Sequence, residues 1–250
     1  MSFDNEEIEK ILNEEKEITY DECKKLWEDE STLVHHDTSE KLIMDVTRHI
    51  SKMCNLKEND ILLNIGCGDG LFDSTIIEMV NDFYGVDFSA QKLSIAKNRV
   101  PRANYIQQSF LNDYHEKIKN AGISKIYSYS VVQYCHPQDL ERFILKQLEL
   151  CRDDKEYLIA HLDIPDKKKA VYYYKKRYSN ITQEMLDGKI KTLFGDGSYW
   201  HNMDDFKTIA DKYGLECEIK EANYWDYRSD VIIRFNGKIV NDNIEKEEMK

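Results

Sequence analysis

The sequence has few of the residues that interrupt regular structure. It contains three prolines, and all ten of its glycines lie from Gly66 onward. Since glycine and proline mark turns and helix ends, their absence from the first 65 residues excludes a turn-rich beginning. Apolar residues recur there at helical spacing, with a Thr38–Ser39 cap before the second stripe. We predict an N-terminal helical segment, residues 1–55, packed on a core domain of residues 56–236.

Long apolar runs and paired cysteines are also missing. No stretch of about 18 apolar residues occurs, and the first thirty residues are acidic, unlike a secretory signal. Both absences argue against a membrane span and against secretion, so we expect a cytoplasmic protein. The six cysteines are scattered, without a CxxC pair or paired histidines, and the sequence therefore predicts neither a metal site nor disulfides.

Charge is distributed unevenly along the chain. The formal net charge is −12, and residues 1–30 alone hold twelve acidic residues against four lysines. A negative average field repels nucleic acid and anionic membranes, so we expect no nucleic-acid partner. A basic, tyrosine-rich stretch over residues 167–178 nevertheless keeps an RNA acceptor open as an alternative.

From residue 60 short apolar runs alternate with amphipathic stretches. This alternation is typical of a parallel sheet with helices on both faces. The sequence predicts a doubly wound α/β fold with seven strands, mostly parallel, of which the last is antiparallel, followed by a flexible polar tail over residues 237–250. The predicted strands are Ile61–Ile65, Phe83–Val86, Tyr105–Gln107, Lys125–Tyr129, Tyr157–Ala160, Glu216–Glu221 and Asp230–Phe235.

Three glycines lie between the first strand and its helix, in the segment from Asn64 to Gly70. Such a turn lets a ligand approach bare backbone and helix N-terminal amides. Asp87 follows the next strand, where a carboxylate can accept both hydroxyls of a ribose. An adenosine-containing ligand is therefore predicted. The GxGxG spacing disfavours NAD, whose fingerprint is GxGxxG or GxGxxA.

These segments resemble the first two motifs of class I S-adenosylmethionine-dependent methyltransferases. Residues Tyr105–Phe110 and Ile126–Tyr134 are similar to the family's third-strand and fourth-strand motifs, which border the adenine and the sulfonium. The resemblance spans roughly residues 40–235 and implies S-adenosylmethionine as cofactor and S-adenosylhomocysteine as product. It implies cofactor contacts from Asn64, Gly66, Cys67, Gly68, Gly70, Asp87, Phe88, Gln108, Ser109, Phe110, Ser130 and Val131.

Two positions depart from the family pattern. Asn64 stands where the family usually has an acid, and Ser109 where it often has Asp. Both residues keep hydrogen-bonding groups but lose the charge. A protein that binds the cofactor without turnover is therefore an alternative to an enzyme, as is a domain whose glycines only form a turn. Within enzymes, an RNA or protein methyltransferase is the alternative to one acting on a small molecule.

The acceptor is expected beyond the carboxyl ends of strands four and five. A hydroxyl acceptor requires a base. His136 is either that base or a helix cap, and Asp163 is either catalytic or a turn residue before proline. The catalytic candidates are His136, Asp163, His201 and Tyr134.

Residues 166–201 form an insertion too long for an ordinary connection, and we predict a lid or substrate-binding segment there. Its interleaved lysines and tyrosines suit a phosphate-bearing or sugar-bearing small molecule, or simply an amphipathic helix with solvated lysines. Two glycines, at 195 and 197, indicate a hinge before an aromatic wall. The predicted substrate contacts are Gln133, His161, Tyr199, Trp200 and Arg228.

Three short stretches resemble small methyltransferases associated with bacterial surface-polysaccharide biosynthesis. They are Asp163–Pro165, Gly197–His201 and Tyr227–Asp230. The resemblance implies a sugar, an activated sugar or a small phosphorylated group as acceptor. Arg228 would then meet a substrate phosphate or carboxylate, or alternatively pair with one of the many surface acids. The oligomeric state is left open.

Overall fold

The computed structural model describes residues 39–151, 155–178, 180–191 and 199–237, with side chains of 188–191 left aside. The predicted N-terminal segment up to residue 38, the glycines at 195 and 197, and the tail from residue 238 lie outside the described residues.

A seven-stranded sheet runs through the described part of the chain, in the order β3-β2-β1-β4-β5-β7-β6. Neighbouring strands are parallel except β7, which is antiparallel to both β5 and β6. The predicted α/β fold with an antiparallel last strand is therefore confirmed. The strands are β1 (Ile61–Ile65), β2 (Asp82–Asp87), β3 (Asn104–Gln107), β4 (Lys125–Tyr129), β5 (Glu156–Pro165), β6 (Glu216–Glu221) and β7 (Arg228–Asn236).

Helices cover both faces of the sheet. Those described are α1 (Glu40–Cys54), α2 (Asp73–Ile76), α3 (Ala90–Arg99), α4 (Glu116–Lys119), α5 (Leu140–Leu148), α6 (Ala170–Arg177), α7 (Gln183–Lys191) and α8 (Met203–Tyr213). The side chain of Ser39 accepts a hydrogen bond from the N–H of Leu42 at 3.3 Å, as the predicted cap requires. None of the described helices is long and apolar enough to cross a membrane.

Two apolar layers hold the helices to the sheet. Alternate residues of β1 point to opposite faces, with Leu63 in one buried cluster and Leu62 in the other. Residues of α5 and α8 pack on the first face, and residues of α1 and α3 pack on the second. The core and its helices cover the two faces of the sheet. The loops that follow β1 to β5 therefore meet beyond the carboxyl ends of these strands, at one end of the sheet.

Two elements differ from the sequence prediction. β5 continues to Pro165, with a register shift between His161 and Ile164, whereas the prediction ended it at Ala160. Polar residues in the second half hid the strand pattern, although nine of its ten residues are buried. The amphipathic stretch Leu71–Val80 predicts a single helix after the glycine loop, whereas only Asp73–Ile76 is α-helical and a 3-10 turn follows.

The described part of the insertion builds a small aromatic core of its own. Tyr174, Trp200 and Tyr227 are buried together, and the indole N–H of Trp200 donates to the Tyr174 hydroxyl at 3.2 Å. Lys176 on α6 faces outward and pairs with Asp226, and Lys168, in the 3-10 turn before α6, pairs with Asp204. The predicted helix with a solvated basic face is thus present, and it packs beside the start of β7.

Candidate functional site

The glycine loop after β1 requires backbone conformations that other residues adopt at a cost. Gly66, Gly68 and Gly70 have φ of 70°, 56° and 71°. A Cβ on Gly66 would stand 2.4 Å from Cγ2 of Val131, which follows β4. The backbone of the loop therefore lies directly against the turn after β4. The N–H groups of Gly66 and Cys67 donate to the Val86 carbonyl at 2.8 and 3.0 Å, so the start of the loop is also bonded to β2.

Asp87 ties this loop to the end of β2. Its Oδ2 accepts a hydrogen bond from the N–H of Gly68 at 3.0 Å, and its Oδ1 accepts one from Ser89 at 2.9 Å. Burial raises the pKa of Asp87, while these two backbone bonds oppose the shift. The predicted ribose carboxylate is therefore held at the loop. Lys92, which the sequence prediction missed, is buried near Asp87 and Asp69, and burial lowers its pKa.

The other predicted cofactor contacts follow β2, β3 and β4 along the same edge of the sheet. The N–H of Gln108 donates to the carbonyl of Asp87 at 2.8 Å, while its buried Nε2 has no partner among the described residues. That free donor suits an adenine nitrogen. The ring of Phe110 packs against the ring of Phe143 in the core, with 5.2 Å between the ring centroids, so Phe110 lies in the core beneath this end of the sheet. Phe88 and Ser109 are half-buried at the edge, and Cys67 is buried in the loop.

A buried carboxylate lies beneath the loop, and the sequence prediction missed it. Oδ1 of Asp73 accepts hydrogen bonds from Asn64 Nδ2 at 2.7 Å and the Tyr127 hydroxyl at 3.2 Å. The hydroxyl of Tyr105 donates to Oδ2 at 2.9 Å. Burial raises the pKa of Asp73 to about 6, although these three donors favour its charged form. Asn64, which stands where the family usually has an acid, is thus hydrogen-bonded to an acid nine positions later.

Arg228, at the start of β7, forms hydrogen bonds with several residues of the predicted site. Its Nη1 donates to Gln133 Oε1 at 2.6 Å, to Ser130 Oγ at 3.0 Å and to Asp163 Oδ2 at 3.0 Å. It also donates to the backbone carbonyl of Asp163 at 2.7 Å. Arg228 therefore pairs with an acid, but that acid is the buried Asp163 inside the site and not one of the surface acids of the alternative prediction.

Asp163 is the most unusual of these residues. It is a non-glycine residue with φ of 63°, it is buried, and its Oδ1 has no hydrogen-bond partner among the described residues. Burial raises its pKa, and the charge of Arg228 opposes that shift. Asp230 and His49, which the sequence prediction missed, stand behind it: Asp230 accepts from the backbone of Asp163, and His49 contacts Asp230.

His136 and Tyr199 lie beside Gln133. Nδ1 of His136 accepts from the N–H of Gln138 at 3.1 Å, so the helix-cap role is confirmed, and only Nε2 remains for chemistry. The His136 ring meets the Tyr199 ring edge-on at 5.0 Å, and the N–H of Tyr199 donates to the Gln133 carbonyl at 2.6 Å. Tyr134 ends the 3-10 turn after β4 and is half-buried.

Three predicted site residues lie in the core instead, and their assignment is corrected here. His161 sits inside β5, with Nδ1 at 2.9 Å from Ser128 Oγ, and burial lowers its pKa to about 3. Nε2 of His201 lies 2.9 Å from the Val132 carbonyl, and burial lowers the pKa of His201 to about 4. Trp200 is enclosed by the aromatic core of the insertion. His161 is enclosed because β5 is longer than predicted and its second half is buried.

No trio of His, Cys, Asp or Glu side chains within the described ranges is arranged to hold a metal ion. The five cysteines that the structure describes are free thiols.

Comparison with known proteins identifies the domain. Residues 62–154, which include the glycine loop and the segments after β2, β3 and β4, match a family model described as a methyltransferase domain. The chain carries a methyltransferase domain. The predicted recognition of a class I S-adenosylmethionine-dependent methyltransferase is thereby confirmed. No curated protein sequence matches the chain significantly.

Solved structures with the same fold include several methyltransferases. N-methyltransferase NodS from Bradyrhizobium japonicum, in complex with S-adenosylhomocysteine, has a TM-score of 0.55 at 10% identity, over 88% of this chain and 98% of the other. Geranyl diphosphate C-methyltransferase from Streptomyces coelicolor has a TM-score of 0.56 at 11% identity, over 87% and 97%. Magnesium protoporphyrin IX methyltransferase from Synechocystis has a TM-score of 0.52 at 14% identity, over 78% and 80%. Each of these likenesses establishes the shared fold.

S-adenosylmethionine as cofactor agrees with these observations. The Synechocystis and Bradyrhizobium structures are complexes with S-adenosylhomocysteine, the product that the motifs imply. In this methyltransferase the Asp87 carboxylate and the Nε2 of Gln108 are an acceptor and a donor of the kinds that an adenosine group requires.

Proposed function

We propose that this methyltransferase transfers the methyl group of S-adenosylmethionine to an oxygen or nitrogen atom of a small polar acceptor. One observation supports this most strongly. The turn after β4 touches both halves of the site, since Val131 packs against Gly66 and Ser130 accepts a hydrogen bond from Arg228 at 3.0 Å. A cofactor on the glycine loop would therefore adjoin an acceptor held by Gln133 and Asp163.

The residues around Asp163 suit an acceptor that must lose a proton. S-adenosylmethionine, when bound, supplies an electrophilic methyl group. Asp163 Oδ1 is buried and unpaired among the described residues, so it is available to accept the proton of a hydroxyl or amine. Burial raises the pKa of Asp163 towards the range in which a carboxylate works as a base. Arg228 keeps that carboxylate oriented through its other oxygen.

The acceptor that we favour is a sugar, a nucleotide-sugar or a phosphorylated group of surface-polysaccharide biosynthesis. Trp225 and Tyr172 expose large aromatic surfaces near the start of β7, and Tyr172 donates to Asp226 at 3.1 Å. Aromatic faces with adjacent polar groups are suited to sugar rings. The acceptors named for the structural neighbours differ from one another, so the fold by itself does not select among acceptors.

Calorimetric titration tests the cofactor. Wild-type protein, Asp87→Ala and the control Asp82→Ala, at the opposite end of β2, are titrated with S-adenosylmethionine and separately with NAD. We expect micromolar binding of S-adenosylmethionine alone, weakened by about 1–3 kcal/mol in Asp87→Ala and unchanged in the control. Absence of binding, or binding of NAD, would overturn the proposal.

Turnover is tested on acceptor pools by following S-adenosylhomocysteine. We expect product with pools of sugars, nucleotide-sugars or sugar phosphates, and loss of product in Asp163→Asn. Tight cofactor binding without product on any pool would favour a cofactor-binding protein without catalytic activity. Product with RNA or protein pools, and binding to RNA that weakens with salt, would favour the macromolecular alternative.

A further inference from the structure

A buried carboxylate without a cationic partner lies under the glycine loop. Asp73 is the first residue of α2 and is almost completely buried. Its hydrogen bonds come from an amide and two tyrosine hydroxyls, all of which are neutral donors. Among the described residues no lysine, arginine or histidine forms an ion pair with it.

Two other buried carboxylates of the site have cationic partners. Asp69 lies 2.9 Å from Arg99, and Asp163 lies 3.0 Å from Arg228. An uncompensated buried charge costs several kcal/mol in general, and the pKa of Asp73 is raised to about 6 by burial. A nearby positive charge would relieve this cost. The protein itself supplies none within the described ranges, so a cationic ligand is the natural source.

The position of Asp73 relates it to the cofactor site. Its partner Asn64 lies on β1 two residues before Gly66. The hydroxyl of its partner Tyr105 would lie 2.9 Å from a Cβ on Gly70. The carboxylate therefore lies below the backbone that the family's first motif uses to receive its ligand, and only neutral side chains and the loop separate the two.

We propose that Asp73 is a specificity-determining residue that favours S-adenosylmethionine over S-adenosylhomocysteine through its negative charge. This inference rests on the proposed function. The two molecules share the adenosine and the zwitterionic amino acid and differ by one methyl group and the sulfonium charge. A fixed negative charge beneath the site therefore favours the molecule that carries the sulfonium charge. For two unit charges roughly 10 Å apart, at an effective dielectric constant of about 20, the Coulomb interaction corresponds to a change on the order of tenfold in affinity.

Titration of Asp73→Asn with both molecules tests this inference. We expect the affinity for S-adenosylmethionine to fall on the order of tenfold, while that for S-adenosylhomocysteine changes by less than about twofold. Tyr105→Phe removes one hydrogen bond and keeps the charge, so it should preserve the ratio of the two affinities. Asp60→Asn changes a buried carboxylate that pairs with Lys125 at the other end of β1, and it should change neither affinity.

The possible outcomes separate this inference from the proposed function. The inference is overturned if Asp73→Asn leaves the ratio of the two affinities unchanged. Equal weakening of both affinities would assign Asp73 a purely structural role. If wild-type protein binds neither molecule, the proposed function itself fails. Should Asp73→Asn not fold, the exchange Asn64→Asp with Asp73→Asn returns a carboxylate to the same pair. The ratio should then be retained, and its loss in a folded exchange variant would contradict the inference.

Discussion

The backbone N–H of Asp163 donates a 2.8 Å hydrogen bond to Oδ1 of Asp230. That bond holds Asp163 in a left-handed conformation, with φ of 63°, which a non-glycine residue adopts at a cost. The other oxygen of Asp230 lies 2.6 Å from Nε2 of His49 on α1. The conformation of the proposed base therefore depends on residues from β7 and α1, elements that are far apart in sequence.

Asp230→Leu should disturb the acceptor site without touching the cofactor loop. It leaves the Asp163 N–H buried and unbonded, so we expect unfolding stability to fall by about 1–3 kcal/mol. The efficiency of methyl transfer should fall further, through kcat, because Asp163 is released from its orientation. Asp230→Asn keeps an oxygen for the same bond and serves as the matched control. Urea denaturation and steady-state kinetics check both variants, and equal losses in the two would contradict the positioning role.

Two glycines of the loop allow a controlled test of backbone contact. Gly66 and Gly68 both have positive φ, but a Cβ on Gly66 would lie 2.4 Å from Val131, whereas one on Gly68 meets nothing within 4 Å. Both alanine variants carry the left-handed strain of about 1–2 kcal/mol. Gly66→Ala adds overpacking of about 1–3 kcal/mol. Thermal denaturation should rank Gly66→Ala well below Gly68→Ala, and the reverse order would show that the turn after β4 is not packed as described.

The cofactor half of the site was predictable because its signals are local. The strand before Gly66, the glycines themselves and Asp87 after the next strand lie within a short stretch of sequence. Their parallel strands place their carboxyl ends at one edge. The antiparallel pairing of β6 with β7 was predicted from another local signal, because no helical pattern lies between these two strands.

The acceptor half was predictable only in part, because its contacts are long-range. Gln133, Asp163 and Arg228 were singled out individually, but the hydrogen bonds that join them depend on β7 pairing with β5. Asp73 is the acid beside Asn64, and no pattern in the sequence links the two. His161 was misplaced because a polar residue in a fully buried strand breaks the apolar run that marks strands.

Burial of His161 predicts a loss of stability in acid. Its pKa is about 3 in the folded chain against an ordinary value of 6.5, so the unfolded chain binds more protons below pH 6.5. The stability associated with neutral His161 is therefore complete above that pH and is lost as pH falls towards 3. We expect the free energy of unfolding to fall by up to roughly 1.4 kcal/mol per pH unit for this group.

His161→Gln isolates that contribution, because it keeps a polar side chain beside Ser128 and removes the titration. Urea denaturation between about pH 6.5 and pH 4 should give a shallower pH dependence for the variant than for wild type. His201, whose pKa is also lowered, remains in both proteins, and because its charge contributes to lowering the pKa of His161 the difference in slope includes the interaction between the two histidines. Identical slopes would mean that His161 is not buried in its neutral form.

The pairing of Asn64 with Asp73 explains why an acid at position 64 would be unfavourable in this chain. Asn64→Asp replaces a 2.7 Å hydrogen bond with two adjacent buried carboxylates, so one of them must take up a proton or the pair must separate. We expect this variant to lose about 1–3 kcal/mol of unfolding stability at neutral pH and to regain part of it in acid. Adding Asp73→Asn restores one carboxylate and one amide, and it should recover most of the loss in urea denaturation. An exchange variant as unstable as the single substitution would show that Tyr105 and Tyr127 fix the carboxylate to position 73, which makes the two positions inequivalent.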